Sequence, residues 1–377
     1  MIVLTLNGGS SSLKFGLYRV SGSRLDPIMI GEADKDGVRT RNKRGEPMRA
    51  MYVDGTPETS IPAIAGLISD EALPAPQAIG HRIVHGGPNL RSHCRIDDAV
   101  LRELEQIRSL SPLHAPAALT IIALAQAEWP NVPNVACFDT VFHAAMPEVA
   151  CTLPIPRAWK EQGIRRYGFH GLSCESIVRQ LGPNLRPRTI IAHLGSGASV
   201  TAVLEGLSID TSMGLTPSGG IIMGTRTGDI DPGTLIYLAR EKGYDLAALE
   251  QHIENRSGLL GISALSSDMR VLEGAKGNAS AQLAVEMFCL SAAKQVAAMS
   301  VALGGIDDII FTGGIGENDF AVRAAICGHL SWAGVHIDVA ANQGSRQRLD
   351  DEESPVRVHR FSSKENEEIA RHVGELA

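Results

Sequence analysis

The residues that could do chemistry sit in short runs framed by glycine. The densest is 210–232, DTSMGLTPSGGIIMGTRTGDIDP, where glycines at 214, 219, 220, 224 and 228 and prolines at 217 and 232 surround one arginine, Arg226. Glycine tolerates positive φ and proline fixes φ, so this run is a shaped loop and neither a helix nor a strand. Met213, Leu215, Ile221, Ile222 and Met223 make it too apolar for disorder, and Arg226 and Asp229 read as a buried pair of charges. An arginine presented this way suits a phosphate or a carboxylate, because its planar fork donates two parallel hydrogen bonds. A solvated arginine on a surface turn is the alternative.

A second arginine, Arg82, lies in the apolar run AIGHRIVHGG at 78–87. A charge inside a buried strand is costly without a partner, so Arg82 beside Gly86 and Gly87 reads as an anion ligand, with a structural ion pair as the alternative, while His81 and His85 read as hydrogen-bonded core residues. Asp139 ends the strand pattern at 135–138, the place where α/β sheets set catalytic carboxylates; a capping role is the alternative. His170 stands in the aromatic–glycine loop YGFHG, before a helix expected near Ser173.

These groups need turns to hold them. NGGSSS at 7–12 joins strands expected at 2–6 and 13–20, with Lys14 one residue into the second. GSGAS at 195–199 joins strands at 189–193 and 200–204. TGGIGEN at 312–318 follows a strand at 308–311 and opens a helix. Such turns converge backbone N–H groups on anions, although the first is also compatible with a plain hairpin. The third lacks the GxGxxG spacing and the acidic residue of a dinucleotide site. No P-loop and no protein-kinase motif set occurs.

TLNGGSSSLKFGLY and AHLGSGASVTAVLE share strand, glycine–serine turn and returning strand, which implies a duplicated fold with a cleft where two turns could clamp one polyphosphate. Residues 21–62, with the basic run at 39–44, read as a solvated hairpin. Helices are expected at 97–109, 115–129, 245–255, 278–303 and 364–376, with another starting at 231–233, a capped turn at 266–270 and a strand at 356–361. Met287 and Met299 are assigned to the core of the long helix.

A chain of 377 residues has room for two or three domains. The net charge of -7 argues against nucleic acid and anionic membrane as partners. Six scattered cysteines without CxxC indicate neither a disulfide framework nor a zinc site and fit a reducing cytosol. The opening MIVLTLNGG is too short and too uncharged for a secretion signal, and no apolar run reaches membrane-spanning length. Three glycine turns after strands, a duplicated chain and two ligand-facing arginines together indicate nucleotide-dependent phosphoryl transfer.

Taken in order, NGGSSSLKF, GHRIVHGG, LHAP, FDTVFH, YGFHG, HLGSGAS, DTSMGLTP, GTRTGDIDP, SSDMR and GGIGEN make the chain resemble the acetate kinases, of the sugar kinase/Hsp70/actin superfamily, nearly end to end. The resemblance implies an α/β fold of duplicated ribonuclease-H-like (actin-like ATPase) domains: 1–144, with helix 365–377 returning to it, and 145–364. It implies a cytoplasmic homodimer that transfers the ATP γ-phosphoryl reversibly to acetate, with Mg²⁺ or Mn²⁺. By motif, it assigns metal contacts to Asn7 and Glu365 and a nucleotide phosphate contact to Lys14. Arg82 and Arg226 become the substrate and transition-state arginines, Asp139 the catalytic carboxylate, His170 the transition-state histidine and His114 a further active-site histidine. Nucleotide contacts fall to His193, Leu194, Gly195, Ser196 and Gly197, to Asp268, Met269 and Arg270, and to Gly313, Gly314, Ile315, Gly316, Glu317 and Asn318. The acyl methyl pocket falls to Val84, Leu113, Phe169 and Pro217. The chain departs from the family pattern at Ser196 and Ala115, where asparagine is usual, and around Glu365, where TNEE becomes Ser363-Lys364-Glu365-Asn366. A kinase for propionate or butyrate, and an actin- or Hsp70-like ATPase switch, are the rival readings.

Overall fold

The computed structural model describes residues 1–9, 12–112 and 114–377; Ser10 and Ser11 of the first glycine–serine turn, and Leu113 of the expected acyl pocket, lie outside the described residues. The chain divides into two compact units. The first comprises Met1–Ala144, Gly171–Ser176 and Lys364–Ala377, and the second Ala145–His170 and Ile177–Ser363.

In the first unit, β1 (Ile2–Gly8), β2 (Leu13–Ser21), β3 (Arg24–Asp34), β4 (Gly37–Asn42), β5 (Pro47–Met51), β6 (Ala78–Ile83), β7 (Cys94–Arg95) and β8 (Asn134–Phe138) form one sheet in the order β5-β4-β3-β2-β1-β6-β8-β7. The β1–β2 and β2–β3 pairs are antiparallel, and β1–β6 and β6–β8 are parallel. β1 is buried from Val3 to Asn7 because both faces of the sheet are covered. Leu4 and Leu6 join one core, with Ile61 and Ile64 of the helix Pro57–Asp70 and Ile121 of the helix Ala115–Glu128. Val3 joins the opposite core with Ile369, Ala370 and Val373 of the helix Glu365–Leu376. Gly80 permits that second layer: a Cβ there would lie 2.4 Å from Ile369 Cγ2 and 2.6 Å from Val373 Cγ2.

Residues 21–62 are not a solvated hairpin. They form β3 to β5 and the start of the helix Pro57–Asp70, and Met29, Ala33 and Val38 are fully buried. The charges that suggested solvent, such as Arg39 and Arg41, alternate with Val38 and Thr40, so only one face of β4 is wet.

In the second unit, β9 (Arg188–Leu194), β10 (Ala198–Leu204), β11 (Leu207–Thr211), β12 (Asp308–Thr312) and β13 (Arg357–Arg360) run in the order β11-β10-β9-β12-β13. The β9–β10 and β10–β11 pairs are antiparallel, and β9–β12 and β12–β13 are parallel. This repeats β3-β2-β1-β6-β8 in order and direction, so the duplication is one of topology. The helix Ala279–Leu303 packs on β9 and β10, capped by Asn278. It is long and apolar enough to cross a membrane by composition, but Phe288, Val296 and Met299 are buried against the sheet. Met287, expected in that core, is 38% exposed: it lies on the helix's outer side. Residues 313–318 are a helix that follows β12 directly, where a separate turn was expected.

Candidate active site

In the first unit Arg82 near the end of β6 and Asp139 just past β8 meet because these strands are parallel neighbours. Arg82 Nε and Nη2 donate to Asp139 Oδ2 at 2.9 and 2.5 Å. Nη1 reaches Gly8 O at 3.3 Å and Asn7 Oδ1 at 3.4 Å. Asn7 Nδ2 donates in turn to Glu365 Oε2 at 2.8 Å. Asn7, Arg82, Asp139 and Glu365 therefore form one network, drawn from β1, β6, the end of β8 and the C-terminal helix. Burial works against the Arg82 charge, but Asp139 and Glu365 overcome it and raise its pKa. Burial raises the Asp139 pKa; Arg82 opposes this and Glu365 adds to it. Among the described residues Asp139 Oδ1 is buried without a hydrogen-bond partner.

Beside this network a small hollow is lined by Arg82, Val84, His114, Gly8 and helix residues Ala117 and Ile121. Val84 also lines a second, small apolar hollow with Leu104, Ile107, Ala115 and Ile122. His114 precedes the helix Ala115–Glu128, with Nδ1 3.5 Å from Ser111 Oγ. Lys14 pairs with Asn7 across β1 and β2, and is exposed.

In the second unit His170 holds a left-handed backbone, φ 59°, which a non-glycine residue keeps only when its surroundings impose it. Its Nδ1 lies 2.9 Å from Ser199 Oγ, and its ring stacks on His193 at 4.2 Å between centroids. Gly197 shows what meets there: a Cβ on it would lie 3.3 Å from His170 Nε2 and 3.4 Å from Arg226 Nη1. Arg226 is 8% exposed, and its Nη1 donates to Pro217 O at 3.1 Å. Gly224 N donates to Ser196 O at 3.2 Å. A Cβ on Gly224 would also approach Ser267 O, next to Asp268, at 3.3 Å. A Cβ on Gly313 would press on Leu194 O at 2.7 Å, so the turns at 194–197 and 313–314 lie against each other. The second unit thus gathers His170, His193, residues 194–197, Pro217, Arg226 and the start of the helix Gly313–Asn318. Asp268 caps the helix Met269–Gly274 and pairs with the exposed Arg270 at 2.6 Å. Glu317 is bound to Ser362 Oγ at 2.7 Å and to Ser363 N at 3.0 Å. Phe169 is buried.

The expected Arg226–Asp229 pair does not form. Asp229 is exposed and accepts the Gly220 N–H at 2.7 Å, while Arg226 Nε faces Glu254 Oε2 at 3.5 Å. Glu254 lies near the end of the helix Leu246–Asn255 and, like Ser199 on β10, was not singled out. Gly258 was the available signal for the first. At φ 60° a Cβ there would lie 2.1 Å from Met223 O and 2.7 Å from Arg226 O, so the segment after Glu254 must pack directly on the arginine loop.

A profile of the acetokinase family matches residues 2–371. An acetate kinase from a Synechococcus strain is 41% identical over 394 residues, 98% of each chain. Among solved structures, a propionate kinase from Francisella tularensis aligns with a TM-score of 0.91 at 34% identity, covering 100% of both chains. The acetate kinase of Porphyromonas gingivalis aligns with a TM-score of 0.85 at 33% identity, covering 100% of this chain and 99% of that one.

Proposed function

The chain belongs to the acetokinase family, the carboxyl-acceptor phosphotransferases, and on that premise we propose that it transfers the ATP γ-phosphoryl reversibly to acetate by direct in-line displacement. The observation that carries the reading is the convergence of His170 Nε2 and Arg226 Nη1 on Gly197. Two donors that meet beside a glycine can act together on a phosphoryl group whose equatorial oxygens gain charge in the transition state.

A carboxylate is already a nucleophile, so no strong base is needed. Arg82 binds the acid's charge, and Val84 bounds its methyl group. The turns at 193–197 and 313–318, with 268–270, hold the nucleotide. Asp139 is engaged by Arg82 through one oxygen, and an in-line transfer asks no attack on phosphorus of it. Asn7 and Glu365, with the unpartnered Asp139 Oδ1 nearby in the same network, are hard oxygen donors of the kind that suits Mg²⁺. Bound there, the ion would neutralise phosphate oxygens. The enzyme works as a homodimer in the cytoplasm, where its six free cysteines stay reduced.

Propionate is the second acid to consider. Val84 is a mid-sized wall, and one methylene changes binding by only ~1–3 kcal/mol. The test is hydroxamate trapping of acyl phosphate formed from MgATP, with acetate, propionate and butyrate compared by kcat/KM. Acetate is expected to lead, with propionate close behind. ATP hydrolysis without product from any acid would replace this reading with an ATPase switch, and a stoichiometric, chemically competent phosphoryl-enzyme would rule out the in-line route.

A further inference from the structure

Apart from the residues assigned above, the first unit holds a half-buried cluster of three titratable groups: His93, Glu175 and His372. Their ligand-type atoms lie within 4.8 Å of one another. His372 Nε2 is 2.9 Å from Glu175 Oε2, His93 Nε2 is 4.0 Å from the same oxygen, and the two rings are 4.0 Å apart. Such a set resembles a metal site, but His93 Nδ1 already accepts the N–H of Phe138 at 3.1 Å. A ring nitrogen accepting an N–H carries no proton, so the neutral ring's proton is on Nε2, the atom that would have to ligate. The cluster is built to share protons and hydrogen bonds.

What it ties together is specific. Phe138 ends β8 and immediately precedes Asp139. Glu175 lies on the helix Gly171–Leu181, whose first N–H, at Gly171, donates to Asp139 O at 2.8 Å. The next residue, Ser176, accepts the N–H of Lys364 on its Oγ at 3.1 Å, one residue before Glu365. His372 lies on the helix that begins at Glu365. The segments carrying both carboxylates of the network thus lean on the same few atoms. Burial alone would raise the Glu175 carboxyl, but His372 and His93 hold it at about 2. Burial opposes the His372 charge, and Glu175 overcomes it and raises its pKa.

We propose that Glu175, bonded to His372 and facing His93, is a positioning residue that fixes Asp139 and Glu365 relative to each other for acyl phosphate formation. The inference rests on the function proposed above. Misplacing a reacting group by about 1 Å costs ~10²-fold in rate, and losing an outer hydrogen-bond partner ~10–100-fold. The test compares wild type, Glu175→Ala, Glu175→Gln and His372→Gln in the hydroxamate assay, with Tm and the Mg²⁺ requirement measured alongside. Glu175→Ala is expected to lower kcat ~10–100-fold and raise the Mg²⁺ requirement, with both KM values within ~3-fold. Glu175→Gln, which keeps the shape and an acceptor oxygen, is expected to recover part of the loss. If Glu175→Ala does not fold, His372→Gln carries the test, with a kcat loss of ~3–10-fold expected. Unchanged kcat, a loss confined to KM, or stoichiometric zinc in wild type that Glu175→Gln releases would each overturn the proposal while leaving the function intact. If wild type forms no acyl phosphate from any acid, the function itself fails and the positioning role falls with it.

Discussion

Arg226 is buried and Arg82 nearly so, and both face a carboxylate, yet they are held in different ways. All three Arg82 nitrogens are engaged, with two of them on Asp139 Oδ2 at 2.9 and 2.5 Å. Its partner sits past the end of the neighbouring strand, so sheet pairing sets the contact. Arg226 rides on a loop, and its Nε is 3.5 Å from Glu254, a carboxylate that also accepts a hydrogen bond from Ser218. The first arrangement is a clamp fixed by the pairing of two strands. The second sets an arginine on a shaped loop beside His170, a place that suits charge appearing only in the transition state.

Removing Arg226 should therefore be the most damaging change to rate and a mild one to stability. Arg226→Ala is expected to lower kcat ~10³–10⁵-fold, as for an arginine that acts on transition-state charge. Glu254 keeps its Ser218 hydrogen bond, so unfolding in urea should change by only ~1–2 kcal/mol. A kcat loss below ~10-fold would erase the distinction between the two arginines.

Arg82 should show the reverse balance. Its removal leaves Asp139, 1% exposed with no partner on Oδ1, as an uncompensated buried charge. Arg82→Ala is expected to cost ~3–5 kcal/mol of stability along with activity, and the double change Arg82→Met/Asp139→Leu to regain most of the stability while staying inactive. Chemical unfolding of the three proteins reads this directly. A double variant no more stable than Arg82→Ala would mean that the ion pair itself, and not the unpaired charge, decides the outcome.

The same contrast governs what the sequence could tell. The placement of Arg82 and Asp139 was legible because each is a charge closing an apolar strand pattern. The duplication was legible as two strand–glycine–strand runs. Its matching strand order was not, since that depends on parallel pairings between residues as far apart as Thr189 and Asp308. Asp229 looked like the partner of Arg226 because it is near in sequence and its neighbours are apolar, but the loop turns it to solvent. The real partner, Glu254, lies on a helix whose pattern is ordinary. Ser199, 29 residues from His170, is likewise found only by folding. The strands β3 to β5 were missed because polar residues dominate their outer face.

His81 tests how far the stiffness of the Arg82 clamp extends. It is fully buried beside Arg82 on β6 and bonded to Asn134 of β8 at 2.7 Å, so it staples the two strands that carry the clamp. Burial lowers its pKa from 6.5 to about 4, with the Asn134 bond opposing. The depressed folded value means that the unfolded chain takes up the proton first. Stability is full above pH ~6.5 and falls as pH drops towards 4, by roughly 3 kcal/mol from this group. His81→Gln should flatten the pH 7 to pH 5 dependence of urea unfolding relative to wild type. An equal slope in both proteins would show that other groups carry the acid sensitivity of this sheet.

Val84 is the finest probe, because it asks whether the rigid side also sets acid length. It is 7% exposed and stands between the hollow containing Arg82 and His114 and the apolar one lined by Leu104 and Ile107. Val84→Ala removes two methyl groups from that wall, at a stability cost of about 1–3 kcal/mol. The carboxylate of a longer acid would still meet Arg82, while its tail could enter space that is closed in the wild type. One methylene is worth ~1–3 kcal/mol in such a pocket, so the butyrate-to-acetate ratio of kcat/KM should rise by ~10-fold or more, with acetate itself losing some affinity. The rigid arginine would then be the fixed point from which chain length is measured, which works only if Arg82 does not shift when the wall is cut back. An unchanged ratio in Val84→Ala would mean that Val84 is not the length gauge and that the fixed position of Arg82 does not set acid length.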